Sequence, residues 1–405
     1  MKVVFLAPHY PPEMQQYTRG LAEVGASVLG VGDQPVSALS SSLKRNLDDY
    51  LHVPRMLDDD DVIQRVHAWL RGREVDNVLA NWEPLVLCAA RLRDRFGIPG
   101  MSHDTVLGFR DKQLMKERVA AAGLRVPRAV RVRTIAETKA AADHIGFPLV
   151  IKPIAGAGSA DTYKVEDGAA LDRVLAAMHH VGEASVEEYI SGEEFTFDTV
   201  SIDGVPAYMN VAQYLPKPLV ARSVESLSPI IITVRDLQQP KMQGGVALGE
   251  QVLKALHMGN GFTHMEWFLK PDGDVVFGEI GCRPGGAHLV DQMNYTNDID
   301  LFREWARAAV WGKFEARGPR KYNVAIIFKR AQGQGRITKI DGLDDFMRRH
   351  GEHVVEDKLF RPGTPRRDWK QTLTSDGFLI LRHPDWQTTY DLAHLAAEQI
   401  TLYAG

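Results

Sequence analysis

Cysteine is scarce in this chain of 405 residues, which contains only Cys88 and Cys282. Two cysteines cannot supply a disulfide framework or the thiolate set of a structural zinc site, and so low a number fits a reducing compartment. Cys88 lies in an apolar stretch with helical spacing, and Cys282 alternates away from its polar neighbours. Both are therefore predicted to fill space in the core rather than to react.

Strong net charge and long apolar runs are also missing. The chain has 48 Lys and Arg against 52 Asp and Glu, a net charge of −4, so electrostatics gives no case for nucleic acid or a membrane surface as partner. The apolar run within residues 1–10 is far too short for a membrane span or a signal segment, and Pro11 and Pro12 follow it. We therefore expect a cytoplasmic protein without a nucleic-acid or membrane partner.

The length is compatible with about two to four compact units, and 44% hydrophobic with 25% charged residues is typical of a globular protein. Short apolar runs and helical patterns alternate from residue 3 to residue 96, which predicts a doubly wound parallel sheet. Gly30 and Gly32 do not complete a dinucleotide fingerprint, because no third glycine opens a helix after them.

Residues 262–286 contain the most informative pattern, two alternating apolar runs around Pro271-Asp272-Gly273. The pattern predicts a β-hairpin. If Asp272 and Gly273 form a two-residue loop, Glu266 lies directly opposite Glu279, and two like charges in that position are destabilising. A three-residue loop would instead turn Glu279 to the other face, where the acids could simply be solvated.

A divalent cation between Glu266 and Glu279 would reverse the penalty, because Mg²⁺ prefers carboxylate oxygens. Strand alternation places Arg283 on the face of Glu279 and His264 on the face of Glu266. Two acids and an arginine on one face indicate a metal–phosphate site, in which His264 would be a further contact. His264 could equally be structural, and His288 could line the same cavity or simply begin a helix.

Several polar residues upstream admit two interpretations each. Lys152 ends an apolar strand before a loop rich in glycine and serine at residues 155–161, which suits phosphate binding but also an ordinary solvated turn. Lys112 and Lys116 lie four apart on a helix, where surface positions are the default. Residues 187–194, Glu-Glu-Tyr-Ile-Ser-Gly-Glu-Glu, are either an adenosine-binding strand end or an acidic turn in water.

The chain resembles the ATP-grasp superfamily over about residues 105–310. The resemblance rests on an ordered set of motifs: Lys112, Lys152 with the small-residue loop, the 187–194 segment and the Glu…Glu-x-x-x-Arg hairpin. The string Gly-Glu-Ile-Gly-Cys-Arg-Pro-Gly-Gly looks more like the L-amino-acid ligase branch. The resemblance implies a mixed α/β and α+β fold, in which an ATP-grasp fold follows a doubly wound N-terminal domain and precedes a small C-terminal α+β domain. The boundaries predicted in this way are 1–104, 105–190, 191–318 and 319–405.

The resemblance also implies a role for each matching residue. Lys112 and Lys152 would contact the phosphates of ATP, beneath a mobile loop that includes Ser159. In the segment that binds adenosine, which also includes Glu188, Glu187 would take the adenine amino group. The backbone of Tyr189 or Ile190 would contact the adenine, and Glu194 would hold the ribose. Glu266 and Glu279 would bind Mg²⁺, with Mn²⁺ as an alternative, while Arg283 and His264 would contact the reacting groups.

One position departs from the superfamily pattern. Many members have Asn two residues after the second metal-binding glutamate, whereas this chain has Gly281 there. The coordination of a second metal ion is therefore in question, although water could complete it because Mg²⁺ retains several waters.

The implied activity is that of an ADP-forming ligase, which joins a small carboxylate substrate to an amine through an acyl phosphate and which is expected to take an amino acid as a substrate. A biotin-carboxylase-like enzyme and a non-catalytic ATP-binding regulator remain as alternatives. The segment 213–228, with Tyr214, Lys217, Arg222 and Glu225, is either a cover over the acceptor site or a plain surface loop. Superfamily analogy and the frequency of two-fold assemblies favour a homodimer.

Overall fold

A computed structural model describes residues 1–154, 161–372 and 374–405. The predicted phosphate loop, including Ser159, falls almost entirely outside these residues. Among the described residues, no helix is long and apolar enough to cross a membrane.

The first unit is a four-stranded parallel sheet with helices on both faces, as the sequence predicted. Its strand order is β3-β2-β1-β4, where the strands are β1 (Lys2–Leu6), β2 (Ser27–Gly32), β3 (Asp49–His52) and β4 (Asn77–Leu79). Its helices are α1 (Met14–Glu23), α2 (Ser41–Arg45), α3 (Asp59–Trp69) and α4 (Val86–Phe96). Asp58 caps α3 by accepting from the Asp61 amide, and Gly97, in the left-handed conformation, ends α4.

The second unit is a small antiparallel sheet of order β5-β8-β6-β7. Its strands are β5 (Ala129–Val132), β6 (Leu149–Pro153), β7 (Tyr163–Val165) and β8 (Ala184–Glu188), accompanied by α5 (His103–Leu107), α6 (Lys112–Ala121), α7 (Ile135–Ile145) and α8 (Gly168–Ala177). Asp111 caps α6 by accepting from the amides of Gln113 and Leu114. The sheet places Lys152 of β6 beside the strand that carries Glu187.

An eight-stranded sheet of order β13-β12-β9-β10-β11-β14-β18-β17 forms the largest layer. Its strands are β9 (Glu193–Ile202), β10 (Val205–Leu215), β11 (Ile230–Thr233), β12 (Gly261–Leu269), β13 (Val275–Gly281), β14 (Asn323–Phe328), β17 (Val354–Asp357) and β18 (Phe378–His383). The associated helices are α9 (Pro218–Ala221), α10 (Pro240–Ala255), α11 (Leu289–Asn297), α12 (Leu301–Trp311) and α14 (Trp386–Gln399). This sheet continues across the predicted boundary at residue 318.

A third, three-stranded sheet of order β15-β19-β16 completes the fold, with β15 (Gln332–Gly333), β16 (Ile337–Asp341), β19 (Thr401–Ala404) and the helix α13 (Leu343–His350). The mixed α/β and α+β class predicted from the sequence is therefore confirmed.

The hairpin of β12 and β13 reaches the predicted pairing by a different route. The loop has three residues, not two, since the Lys270 amide donates to the Asp274 carbonyl and Gly273 is left-handed at φ 89°. This loop alone would turn Glu279 away, but β13 contains a bulge at Gly278 that shifts the register back. Trp267 pairs with Phe277, whereas Glu266 pairs with Glu279. The two irregularities cancel, and the carboxylates share one face.

Candidate active site

One cavity of about 1340 Å³ lies where the parallel sheet, the small sheet and the large sheet meet. Every predicted site residue that the structure describes lines it: Lys112, Lys152, Glu187, Glu188, Tyr189, Ile190, Glu194, His264, Glu266, Glu279 and Arg283. Ser159 lies outside the described residues, so its predicted contact with phosphate stays a prediction.

Lys152 is the central cation of the site. Its Nζ lies 3.0 Å from Glu279 Oε2 and 3.2 Å from Glu187 Oε2, and the Lys112 Nζ lies 3.7 Å from the same Glu279 oxygen. The prediction that Lys116 lies on the surface is wrong, because its side chain is 3% exposed and its Nζ donates to Glu187 Oε1 at 2.9 Å. The lysines of α6 and β6 thus converge on the acids of β8 and β13.

This charge network fixes the protonation states of its members. Burial opposes the charge on Glu187, yet Lys116 and Lys152 hold its pKa at about 2. Burial likewise opposes the charge on Glu279, but Lys112 and Lys152 lower its pKa. Glu187, predicted to face the adenine amino group, therefore has both oxygens occupied by lysines in this structure.

Glu266 and Glu194 have the opposite character. Burial and the charge of Glu279 raise the pKa of Glu266, and burial and the charge of Glu266 raise the pKa of Glu194 to about 8. Glu194 as a residue is 7% exposed, and its side chain forms no hydrogen bond or ion pair with any described residue. The ionised forms of these two carboxyl groups are therefore disfavoured, and a bound cation or a hydroxyl donor would stabilise them.

The donor set fits Mg²⁺ better than a metal that needs a full protein cage. Among the residues described, no cluster of three His, Cys, Asp or Glu side chains could hold an ion. Two opposed carboxylates facing a cavity suit Mg²⁺, which is held by one or two acids together with phosphate and water.

Arg283 lies in the cavity and is held by Glu83, a residue that the sequence did not identify as part of the site. Its Nε donates to Glu83, whose other carboxylate oxygen accepts from Arg110 Nη1 at 2.6 Å. Burial would raise the pKa of Glu83, but Arg283 and Arg110 keep it low. Glu83 follows β4 by four residues, so the signal that could have revealed it is a polar residue beyond the carboxyl end of a parallel strand.

Gly281, the departure from the superfamily pattern, adjoins this pair. A Cβ at position 281 would lie 3.3 Å from Glu83 Oε2 and 3.5 Å from Arg283 Nε. The space into which an Asn side chain would project is therefore occupied by the Glu83–Arg283 pair.

His264 is fixed by a buried acid. Its Nδ1 lies 2.6 Å from Asp198 Oδ1, and Asp198 in turn accepts from Thr196 Oγ1 at 2.7 Å. The Nε2 atom faces the site, 3.5 Å from the Tyr214 hydroxyl and 3.9 Å from Glu266 Oε1. The sequence identified His264 but not Asp198, which is remote in sequence and pairs across β9 and β12.

The 187–194 segment is less uniform than predicted. Glu188 turns toward Arg125, at 2.7 Å, and Arg128 rather than toward the lysine network. The ring of Tyr189 lies beneath Lys164, whose Nζ is 4.2 Å from the ring centroid, and Ile190 is buried. Tyr189 and Ile190 follow β8 instead of belonging to it, so their backbone groups lie at a strand end.

Comparison with known proteins agrees with this geometry. Residues 145–291 match the ATP-grasp domain. An L-arginine-specific L-amino acid ligase from Bacillus subtilis is 24% identical over 243 residues, which cover 58% of this chain, and the chain spans 58% of the length of that relative.

Two solved structures have the same fold. An L-amino acid ligase from Bacillus licheniformis superposes with a TM-score of 0.79 at 19% identity, over 100% of this chain and 98% of that one. Biotin carboxylase from Campylobacter jejuni gives a TM-score of 0.68 at 15% identity, over 99% and 91% of the two chains. At these identities the likeness establishes the fold and leaves the substrates open.

Proposed function

We propose that this chain, which carries an ATP-grasp domain and has the ATP-grasp fold, is an ADP-forming carboxylate–amine ligase. The observation that carries the proposal is the pairing of Glu266 with Glu279 in a cavity that also contains Lys112, Lys152 and Arg283. Such a set can bind Mg·ATP and stabilise a phosphoryl group in transfer, which requires positioning and charge rather than a covalent nucleophile.

The proposed reaction has two steps. A carboxylate oxygen of the first substrate attacks the γ-phosphorus of ATP, the bond to the β,γ-bridging oxygen breaks, and an acyl phosphate and ADP form. The amine of the second substrate then attacks the acyl carbon, phosphate leaves with the C–O bonding electrons, and the amine proton is lost as the amide forms. Lys112 and Lys152 would bind phosphate oxygens, and Arg283 would face the transferred group.

Glu266 and Glu279 would hold Mg²⁺, which when bound offsets the negative charge of the phosphates. Binding would require Lys152 to exchange its contact with Glu279 for one with phosphate. Glu187 keeps Lys152 in reach during that exchange, because it contacts the same ammonium group at 3.2 Å. Glu194 would accept the ribose hydroxyls, and the strand end at Tyr189 and Ile190 would meet the adenine edge.

The test is release of ADP and phosphate, measured over pairs of amino acids and small acids, with bicarbonate in a separate arm. We expect ADP release that requires both a carboxylate and an amine. Release of ADP with bicarbonate alone would favour a biotin-carboxylase-like reaction, since biotin carboxylase has the same fold. Tight Mg·ATP binding without turnover in any arm would favour a regulator.

A pair of variants controls this assay. Glu279→Gln should abolish turnover while the chain still folds, because the side-chain volume is kept, although loss of the ion pairs with Lys152 and Lys112 should lower the melting temperature. Glu193→Gln is the matched control, since Glu193 lies close in sequence to Glu194 but pairs with Lys241 at 2.6 Å on the surface. Parent-level turnover of Glu279→Gln with Mg²⁺ would refute the metal assignment.

The four domain boundaries, the cytoplasmic location and the homodimer remain predictions. Sedimentation at several protein concentrations would test the dimer directly.

A further inference from the structure

One side of the cavity is rich in cations and has no acid of its own. Arg222, Arg330, Lys358, Arg367 and Trp369 line it, and we call these five residues the arginine lobe. The cavity-lining acids come from other elements: Glu13, Glu83, Glu187, Glu188, Glu194, Glu266, Glu279 and Asp291. The acids and the arginine lobe thus lie on different elements around one cavity.

Arg330 is anchored by neutral groups. Its Nη1 donates to the carbonyls of Ala221 and Val224, both at 2.8 Å, and its guanidinium carbon lies 4.5 Å from the centroid of the Trp369 ring. These contacts hold the side chain in place without neutralising it. Its Nη2 forms no hydrogen bond with the residues described.

Arg222 lies next to Arg330 in the fold, because it directly follows Ala221. Its Nη1 donates to the Lys370 carbonyl at 3.2 Å. The structure gives no ion pair with a described residue for Arg222, Arg330, Lys358 or Arg367. The contrast is Arg366, which pairs with both Glu225 and Asp376 in the same region.

Two guanidinium groups close together in a half-buried position are costly unless an anion joins them. Burial lowers the pKa of Arg222, and burial together with Arg222 lowers the pKa of Arg330 to about 10. The nearby Glu225 acts in the opposite direction on the pKa of Arg330, but its carboxylate pairs with Arg366, so the lobe keeps positive charge that an anion would offset.

The arginine lobe adjoins the reacting groups. Arg330 Nε lies 3.4 Å from Ser375 Oγ, and three residues later the Phe378 ring packs at 4.6 Å on His288. His288 ends the loop that follows β13 and contains Arg283. A substrate that reaches from Arg283 past His288 would therefore meet the lobe, which lies on other elements than Lys112 of α6 and Lys152 of β6.

From this arrangement we infer that the arginine lobe binds a carboxylate of a substrate, distinct from the carboxylate that is phosphorylated. This inference rests on the proposed function and specifies its substrate class. Arg222 and Arg330 would hold this carboxylate. It could belong to either substrate, as the side chain of an acidic first substrate or as the α-carboxylate of the amine substrate. Guanidinium groups suit this role because they form paired hydrogen bonds to carboxylates.

Two arms of one assay separate the sources. In the first, glutamate and aspartate are compared with glutamine and asparagine as the phosphorylated substrate. In the second, each amine substrate is compared with its carboxamide. We expect the anionic member of one arm to have a KM lower by about tenfold or more, since charge-assisted hydrogen bonds are of that strength.

Arg222→Gln should remove that preference in the same arm, and Arg222→Lys should restore part of it. Arg222 is chosen because Arg330 also holds the α9 segment through two carbonyls. Arg71→Gln, at an exposed arginine outside the cavity, is the control and should behave as the parent. Equal KM values for anionic and neutral members in both arms, or a preference that survives Arg222→Gln, would overturn the inference.

Failure of the proposed function would look different. If no pair releases ADP, calorimetric titration of the same compounds into the chain loaded with Mg²⁺ and a non-hydrolysable ATP analogue replaces turnover. Tighter binding of the anionic members that Arg222→Gln abolishes would support the lobe without a ligase reaction. Equal binding of anionic and neutral members would overturn it.

Discussion

At the scale of single residues, Gly281 shows that the site can lack the usual Asn side chain and still have that space filled. The position is filled from elsewhere in the chain, by the Glu83 carboxylate that holds Arg283. Restoring the superfamily Asn should therefore harm the site instead of completing it.

We expect Gly281→Asn to lower kcat by at least about tenfold, because it displaces Glu83 and releases Arg283 from its position. Gly281→Ala is the matched control, since its Cβ meets only side-chain atoms at 3.3 Å or beyond and these can shift slightly. Steady-state kinetics would decide the matter. A rise in kcat for the Asn variant would mean that the site lacks an amide ligand.

The protonation of Glu194 gives a second residue-scale prediction. Its folded-state pKa, about 8, is above the ordinary 4.5, so between these values the folded state binds more protons than the unfolded one. The free energy of unfolding should therefore fall as pH rises from about 5 to about 8. Glu194→Gln should flatten this slope in urea titrations without nucleotide, whereas Glu193→Gln should keep it.

Glu187 acts in a separate pH window. Its folded pKa of about 2 is below the ordinary 4.5, so its stabilisation is complete above pH 4.5 and is lost as pH falls toward 2. If Glu194→Gln leaves the slope of unfolding free energy against pH unchanged above pH 5, a group other than Glu194 causes that slope.

At the scale of elements, the hairpin of β12 and β13 depends on Gly278. A Cβ there would lie 2.8 Å from the Glu266 carbonyl oxygen, too close for the bulge to persist unchanged. We expect Gly278→Ala to lower stability by about 1–3 kcal/mol and to abolish ADP release, as the pairing of Glu266 with Glu279 is disturbed.

Gly273→Asn is the control for that variant, because Asn tolerates the left-handed conformation and no atom lies within 4 Å of an added Cβ. It should keep turnover. Normal turnover by Gly278→Ala would show that the register tolerates the added methyl group.

Local patterns predicted the helices and strands near the site, but not the contacts made between distant elements. The alternation around Glu266 is a signal carried by neighbouring residues, so it could be read directly from the sequence. The burial of Lys116 depends on an acid 71 positions away, and the neutralisation of Arg283 on one 200 positions away. The bulge at Gly278 was missed because a single glycine in a strand has several uses.

At the scale of the whole molecule, α12 joins the parallel sheet to the large one. Tyr17 of α1 packs edge-on against Phe302 and Trp305, with ring centroids 4.9 and 5.2 Å away, and Phe5 of β1 contacts Trp305 at 5.9 Å. The same apolar cluster includes Val200 and Phe262 of the large sheet. A shared core of this kind couples the stabilities of the two sheets.

We therefore expect the two sheets to unfold together in urea. Trp305→Ala should reduce protection against hydrogen exchange in β1 and in β9 alike, with a loss of about 3–5 kcal/mol. Trp311→Ala on the same helix is the control, because Trp311 is 44% exposed and should cost less. Loss of protection confined to β1 would show that the sheets are independent.

The bulge of the hairpin also affects how the gene can change in length. Three residues of β12, at 267–269, pair with three of the four residues 275–278 of β13, and Gly278 is the residue left unpaired. Removing Gly278, or adding one residue to the 267–269 stretch, would equalise the two lengths and leave Glu266 opposite Glu279. The bulge therefore provides a spare position, and we expect relatives that have gained or lost one residue in this way to keep the two carboxylates on one face.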